Sequence, residues 1–205
     1  KLLLKIIKKR ISNKKIKILD IGCATGELIF FLDNALRAET YGCDINKKLI
    51  NKAKKNCKNS QFKLMDIGKN INFKEKFDII ICSGLIGNLE NLNIFFKNLK
   101  KLSKKNTIYY FSGIINEFNY NVYIKYEDLN LKKRFKQSGW NSWSINYISK
   151  FLNKKKLKKY KLKISFDIKK DSSDLMKSWT VKINKERYLF NALNLARSMT
   201  WYEFR

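Results

Sequence analysis

The sequence predicts a doubly wound α/β fold built on a mainly parallel sheet. Three observations carry that prediction. Short apolar or alternating runs take turns with stretches of 3.6-residue periodicity through the first half of the chain, the pattern of βαβ units. At Ile18-Leu19-Asp20-Ile21-Gly22-Cys23-Ala24-Thr25-Gly26 a strand runs through a small-residue turn straight into a helix. Past Phe111 the rhythm breaks, and the remaining strands read as antiparallel.

Taken in order, Lys15 to Ile21 reads as a buried strand and Glu27 to Leu36 as the helix after Gly26. Thr40 to Asp44 is a second strand, Lys47 to Cys57 a Lys-faced helix, Gln61 to Asp66 a third strand and Phe77 to Cys82 a strongly apolar fourth. Leu89, Leu92, Phe95, Phe96, Leu99 and Leu102 recur at helical spacing over residues 89–102, and Thr107 to Phe111 forms a fifth strand. Five strands separated by helices imply an open parallel sheet covered on both faces. Ser112 to Trp143 is polar, irregular and rich in aromatics, which suits an insertion over the strand ends. A Lys-rich strand near Lys159 to Lys169, a hairpin of Lys177 to Ile183 with Arg187 to Asn191, and a Met199 to Phe204 strand complete a single domain. Its cofactor-binding core spans 15–112, its acceptor-side insertion 113–145, and its C-terminal helix and antiparallel strands 146–205.

The chain has 205 residues, a size that suits one domain with a core, and a formal net charge of +28. Of its 45 basic residues 39 are Lys; Lys, Asn and Ile together make 87 positions, whereas Gly, Ala, Arg and Pro make 20. The first group is written with A/T-only codons, so genome composition accounts for much of the basicity, and Arg, the better phosphate fork, is scarce. Absence of His excludes imidazole-based hydrolases and His-ligated metal sites. Cys23, Cys43, Cys57 and Cys82 fall at no metal spacing and read as reduced thiols of a cytoplasmic protein. No apolar run reaches membrane-spanning length, and residues 1–7 are too short for a signal core; what precedes Lys1 stays open. The ten Lys of residues 150–170 read as a solvated helix end and edge strand.

Small residues at Gly22, Ala24 and Gly26 let a ligand approach the backbone, and Asp44, 22 residues after Gly22, ends the second strand where a carboxylate can accept both hydroxyls of a ribose. A dinucleotide fingerprint needs G-x-G-x-x-G/A; here the third small residue comes one position early. The tighter turn resembles motif I of the class I S-adenosylmethionine-dependent methyltransferases, and the resemblance covers residues 15 to about 112 at four stations. DIGCATG resembles motif I, YGCDIN with Asp44 the ribose-binding acid, LMDIG with Asp66 and Ile67 the adenine station, and FDIIICSGLIGNL, leaving its strand at Ser83-Gly84, the motif beside the methionine end. Ala24 departs from the commoner Gly. The resemblance implies a Rossmann-like, seven-stranded sheet with an inserted lid, S-adenosylmethionine as cofactor, no metal, and a cofactor set of Asp20, Gly22, Cys23, Ala24, Gly26, Asp44, Ile45, Asp66, Ile67, Ser83 and Gly84. Asp20, set between Leu19 and Ile21, expects partners from the turn amides and the cofactor's ammonium. Asp78, at the entrance of its strand, reads as structural.

In-line displacement from a sulfonium asks the protein mainly to hold three atoms in line. An amine acceptor needs no strong base, which fits the absence of His; a hydroxyl gains from a carboxylate. By chain position the acceptor side draws on Asn88, Asn116, Glu117, Tyr120, Tyr123, Tyr126, Asp128 and Trp140, with Glu117 as base or orienting group. The insertion reads as a lid with stacking platforms, or as a plug closing the core. Its C-terminal neighbour SDLMKSWTVKIN loosely resembles methyltransferase domains of bacterial surface-polysaccharide biosynthesis, which implies an acceptor hydroxyl or amine on a small molecule or saccharide precursor. Two other readings stay open: an RNA methyltransferase tracking phosphates with its Lys surface, and a non-catalytic partner protein on the same fold.

Overall fold

A computed structural model describes residues 1–11, 15–127, 136–138, 140–152, 157–171, 177–190 and 199–205, without the side chains of 126 and 136–138. Its centre is a seven-stranded sheet. In chain order the strands are β1 (Ile16–Ile21), β2 (Ala38–Asp44), β3 (Gln61–Leu64), β4 (Phe77–Ser83), β5 (Ser103–Ser112), β10 (Leu157–Leu162) and β13 (Met199–Phe204). Across the sheet they lie β10-β13-β5-β4-β1-β2-β3, with β13 alone reversed. The mainly parallel, doubly wound architecture expected from the sequence is therefore present.

Helices α1 (Leu2–Lys8) and α2 (Glu27–Ala35) cover one face, where Leu3, Ile6, Ile7 and Leu32 pack on Ile18, Ile79, Ile81 and Tyr110. The other face carries α4 (Leu92–Lys101) and α5 (Ile145–Leu152); Phe95, Phe96, Leu99 and Ile148 meet Leu19, Ile80, Phe111 and Phe204 there. Alternation along each strand sends successive side chains to opposite cores. The α1 helix went unassigned in the sequence, because its LLLKIIK run is short; the ion pair of Arg10 to the fully buried Glu203 ties the segment after it to β13.

Helix starts follow side-chain caps. Asn46 accepts from the Lys48 and Leu49 amides to open α3 (Lys47–Asn56), and Asn91 accepts from Asn93 N–H at 2.7 Å to open α4. That second cap, preceded by a 3₁₀ turn over Ile86–Asn88, starts α4 at Leu92 instead of the expected Leu89. At the sheet's lower edge β5 begins four residues earlier than expected, and β10 ends at Leu162, well short of Lys169. Asp78, as expected of a structural acid, accepts from Lys17 N–H and pairs with Lys104 at the strand entrances.

The insertion holds short pairs: β6 (Ile115–Asn116) with β9 (Trp143–Ser144), and β7 (Lys125–Glu127) with β8 (Lys136–Ser138). It is clamped over the turn after β4: buried Trp143 donates its indole N–H to Ile86 O at 2.9 Å, Asn141 N–H donates to Gly87 O, and the Asn141 carboxamide donates to Leu89 O. The expected hairpin forms as β11 (Trp179–Ile183) and β12 (Glu186–Phe190), turning at Asn184 with φ +55°, and stands as a sheet of its own.

Gly42, central in β2, has Phe62 and Cys23 packed over it, and a Cβ there would fall 2.7 Å from the Phe62 ring and 2.8 Å from Cys23 Sγ. Gly42→Ala should therefore destabilise the fold by about 1–3 kcal/mol in urea denaturation, since overpacking forces neighbours off their rotamers; an unchanged midpoint would contradict this packing.

Candidate functional site

Two cavities open at the carboxyl ends of the parallel strands. The first, of 310 Å³, is lined by Ile21, Gly22, Cys43, Asp44, Ile45, Met65, Asp66, Ile67, Leu85, Asn88 and Leu89. Its geometry starts with the bend after β1. Gly22 turns the chain at φ +76°, a conformation open to glycine, and a Cβ there would press on Leu85 at 3.3 Å. Gly22 and Cys23 both donate their amides to Cys43 O, at 2.8 and 3.0 Å, which lashes the bend to the end of β2. Ala24 N–H then donates to Asp44 Oδ2 at 3.0 Å, while Asn46 N–H donates to Oδ1 at 2.8 Å. Asp44 is thus aimed and half-buried, and each carboxylate oxygen keeps lone-pair capacity for a ligand hydroxyl.

The far wall is built the same way. Asp66 Oδ1 accepts from Gly68 N–H at 2.9 Å. Fully buried Asn98 of α4, which the sequence reading missed inside an apolar helix face, donates its amide to Ile67 O at 2.9 Å and Lys69 O at 2.6 Å. The sole signal for it was a polar residue between Phe96 and Leu99 on a core-facing turn.

Not every expected cofactor residue faces this space. Asp44, Ile45, Asp66, Ile67 and Gly22 line it, joined by Asn88, which was expected on the acceptor side. Cys23 and Gly26 turn into the packing below instead: Cys23 over Gly42, Gly26 against Ala53, Cys57 and Phe62. Ala24 contributes its amide to Asp44, not its side chain to the cavity. Asp20 departs further from expectation. Its Oδ1 is buried with no hydrogen-bond partner, so the turn amides do not serve it. They are spent on Cys43 O and Asp44, whereas Asp20 lies below them in the sheet, beside Gly42 and Ile81. Burial, reinforced by repulsion from Asp44, lifts its pKa from 3.8 to about 8.

Ser83 and Gly84 lie next door, in a second cavity of 210 Å³ shared with Ser112, Gly113, Leu162, Leu189, Met199, Thr200 and Trp201. The last five come from strands beyond residue 150 that the sequence placed only as antiparallel, so spacing gave no sign that they converge here. Among the described residues, the expected acceptor residues of the insertion line neither cavity. Glu117, expected as base or orienting group, is exposed, ion-paired to Lys159, and lines neither cavity. Asn116 spends its carboxamide on Tyr120 O and Ser142, Tyr120 stacks on Phe118 in the open, and Tyr123 meets Trp143 edge-on. Trp140 takes a left-handed turn at φ +61° ahead of the Asn141 clamp. Asp128 and the Tyr126 side chain fall outside the described residues.

Two measurements follow. Ala24 sits at φ +48°, a left-handed conformation that strains an L side chain by about 1–2 kcal/mol; after the entropy lost by a glycine, Ala24→Gly should leave stability equal or up to about 1 kcal/mol higher in urea denaturation. Asp20 is protonated in folded and unfolded chains below about pH 4, but between about pH 4 and 8 the unfolded chain releases a proton the folded chain keeps, so folding stability falls as pH rises. Asp20→Asn should gain stability relative to the parent between pH 5 and pH 8, and parallel pH profiles would show that Asp20 ionises freely.

The comparisons agree with this architecture. A family model described as a methyltransferase domain matches residues 12–164. Among curated proteins the chain is 33% identical over 104 residues to the ubiquinone biosynthesis O-methyltransferase of Pelagibacter ubique, covering 49% of this chain and 43% of that one. It is 33% identical over 138 residues to the ribosomal protein L11 methyltransferase of Fusobacterium nucleatum, covering 64% and 43%. The chain thus spans less than half the length of these relatives. Among solved structures, an S-adenosylmethionine-dependent methyltransferase from Clostridium acetobutylicum superposes with a TM-score of 0.56 at 19% identity, over 99% of this chain and 88% of that one. The PH0226 protein of Pyrococcus horikoshii does so with 0.58 at 18%, over 98% and 88%. Together with the strand order and the bend at Gly22, the family match over three quarters of its length places this chain in the methyltransferase-domain family, on the Rossmann-like fold.

Proposed function

We propose that the chain transfers a methyl group from S-adenosylmethionine to a hydroxyl or amine of a small molecule. The observation that carries this is electrostatic. In a chain of net charge +28, the charged side chains among the described residues lining the 310 Å³ cavity are two carboxylates, Asp44 and Asp66. Such a lining suits a ligand bearing positive charge and opposes a pyrophosphate or an RNA backbone. The orphaned Asp20 oxygen under the bend suits a ligand with an ammonium tail.

In this reading Asp44, aimed by the Ala24 and Asn46 amides, grips the ribose, and the Asp66-Ile67 wall meets the adenine. Ser83 and Gly84 mark the passage from the methionine end to the acceptor. The bound sulfonium supplies an already activated methyl group, so the chain's own part is to hold the acceptor in line and keep water out. A saccharide precursor of a surface polysaccharide is one such acceptor, supported by the loose C-terminal resemblance alone. The four free, buried cysteines suit a reducing, cytoplasmic setting.

Calorimetry with S-adenosylhomocysteine tests the reading. Binding is expected, and Asp44→Ala should weaken it about 10–100-fold, the loss of a hydrogen bond to a charged group worth about 1.5–3 kcal/mol. Absence of binding, together with a salt-sensitive shift of transfer RNA on a gel, would favour the phosphate-tracking alternative.

A further inference from the structure

We propose that the groove between α1 and β10 is a second ligand site, which takes an organic phosphate of nucleotide size. The proposal stands apart from the methyl-transfer reading, because this groove shares no lining residue with either cavity at the strand ends.

Position and size come first. A cavity of 690 Å³ is lined by Leu2, Lys5, Ile6, Lys8, Lys9 and Arg10, at and after α1, and by Lys158 and Tyr160 of β10. That volume lies within the roughly 300–1,000 Å³ of small-molecule sites. Buried Ile6 and half-buried Leu2, Arg10 and Tyr160 make its floor, and the four Lys stand exposed at its rim.

In a chain with 39 Lys, a patch of surface Lys by itself means little. Pairing sets this one apart. Successive residues of β10 point to opposite faces. On one face Lys159 and Lys161 are each ion-paired, to Glu117 and Glu186, whereas Lys158, on the face that meets α1, has no ion-pair partner among the described residues. Lys5, Lys8 and Lys9 have none there either, and at i,i+3 and i,i+4 spacing they repel one another along one side of α1. The helix dipole favours cations in a last turn, which accounts for Lys5 and Lys8 but not for Lys158, brought in from the far end of the chain.

The floor adds an Arg, the cation this composition makes scarce. Arg10 Nη2 meets Glu203 Oε1 at 3.3 Å, the Tyr160 hydroxyl lies beside the same guanidinium, and Arg10 Nε is buried with no hydrogen-bond partner. Glu203 is already ion-paired to Arg205 Nε at 2.7 Å and stands opposite Lys158 in the strand register. One carboxylate thus answers Arg10, Arg205 and Lys158 together, and Arg10 keeps N–H donors for another acceptor.

These groups select the ligand's chemistry. A phosphate monoester or diphosphate carries multiple negative charges on oxygens that an Arg fork takes in pairs, with Lys ammonium groups gathered round as point charges. Leu2, Ile6 and the Tyr160 ring offer an apolar surface to the body that bears the phosphate. Exposed Lys at the rim leave the phosphate partly hydrated, so binding asks for no complete desolvation of the charge. A bound anion also relieves the mutual repulsion of the five cations in the lining.

Calorimetry with uridine 5′-diphosphate at about 0.15 M salt tests the site, with uridine as the uncharged control. The diphosphate is expected to bind, and uridine to bind at least about 10-fold more weakly. Lys5→Gln combined with Lys158→Gln, both exposed, should weaken the diphosphate at least about 10-fold and leave the thermal midpoint unchanged. Lys54→Gln combined with Lys55→Gln, exposed on α3, removes the same charge elsewhere and should change affinity less than about 2-fold. Arg10→Lys keeps a cation for Glu203 while removing the fork, and should weaken the diphosphate about 3–10-fold. Absence of diphosphate binding, equal binding of uridine, or an equal loss in the α3 variant would each overturn the proposal. Displacement of the diphosphate by S-adenosylhomocysteine would overturn it too, by placing the probe in the 310 Å³ cavity. Sedimentation with phosphatidylglycerol vesicles that depends on Lys5 and Lys158, without diphosphate binding, would overturn it in favour of a membrane surface.

Discussion

The sharp left-handed bend at Gly22 is the constraint on which the rest of the site depends. β1 lies in the middle of the sheet, with β2 on one side and β4 on the other. The chain leaves β1 toward β2 and later returns on the far side as β4, and at such a reversal of winding the strand ends part to leave a crevice. Gly22 lets the chain turn before it can fill that crevice, and the two amides lashed to Cys43 O keep the bend low against β2. Asp44 takes its aim from that same bend, because one of its two amide donors is Ala24.

Such a site works against folding in two places. Ala24 holds a backbone conformation that glycine would hold without strain, and Asp20 is buried with an oxygen unserved by the protein. Both lie within four residues of the bend, and both are concentrated where the cavity needs carboxylates and bare backbone. The remaining structure compensates with apolar packing on two faces and with short polar clamps, of which Asn98 on the loop after β3 and Trp143 on the turn after β4 hold opposite walls of the same cavity.

The aromatic insertion shows how a polar, ring-rich segment can serve packing before chemistry. Three of its described Asn side chains are engaged inside the segment or on the turn it covers: Asn116 with Ser142, Asn121 with Ser144, Asn141 with Leu89. Tyr120 and Tyr123 stay on its outside. The second cavity is walled instead by the end of β5, the C-terminal strands and the hairpin, segments with no distinctive motif.

The sequence by itself determined the alternating strands and helices, the bend, and the acid at the end of β2, because these rest on local signals: period-2 and period-3.6 apolar patterns, a cluster of small residues, and a strand's last position; Asp66, expected as the last residue of β3, lies two residues past its end at Leu64. Local caps shifted α4 and the sheet's lower edge lengthened β5, but neither moved an element to another place. Tertiary structure alone decided that Glu117 pairs with Lys159, that Asn98 reaches across to Ile67, that Asp20 lacks an oxygen partner, and that Leu162, Leu189 and Trp201 meet Ser83. Each of these joins residues dozens of positions apart, and the choice among partners is made by which strands lie side by side, a quantity no window of sequence contains.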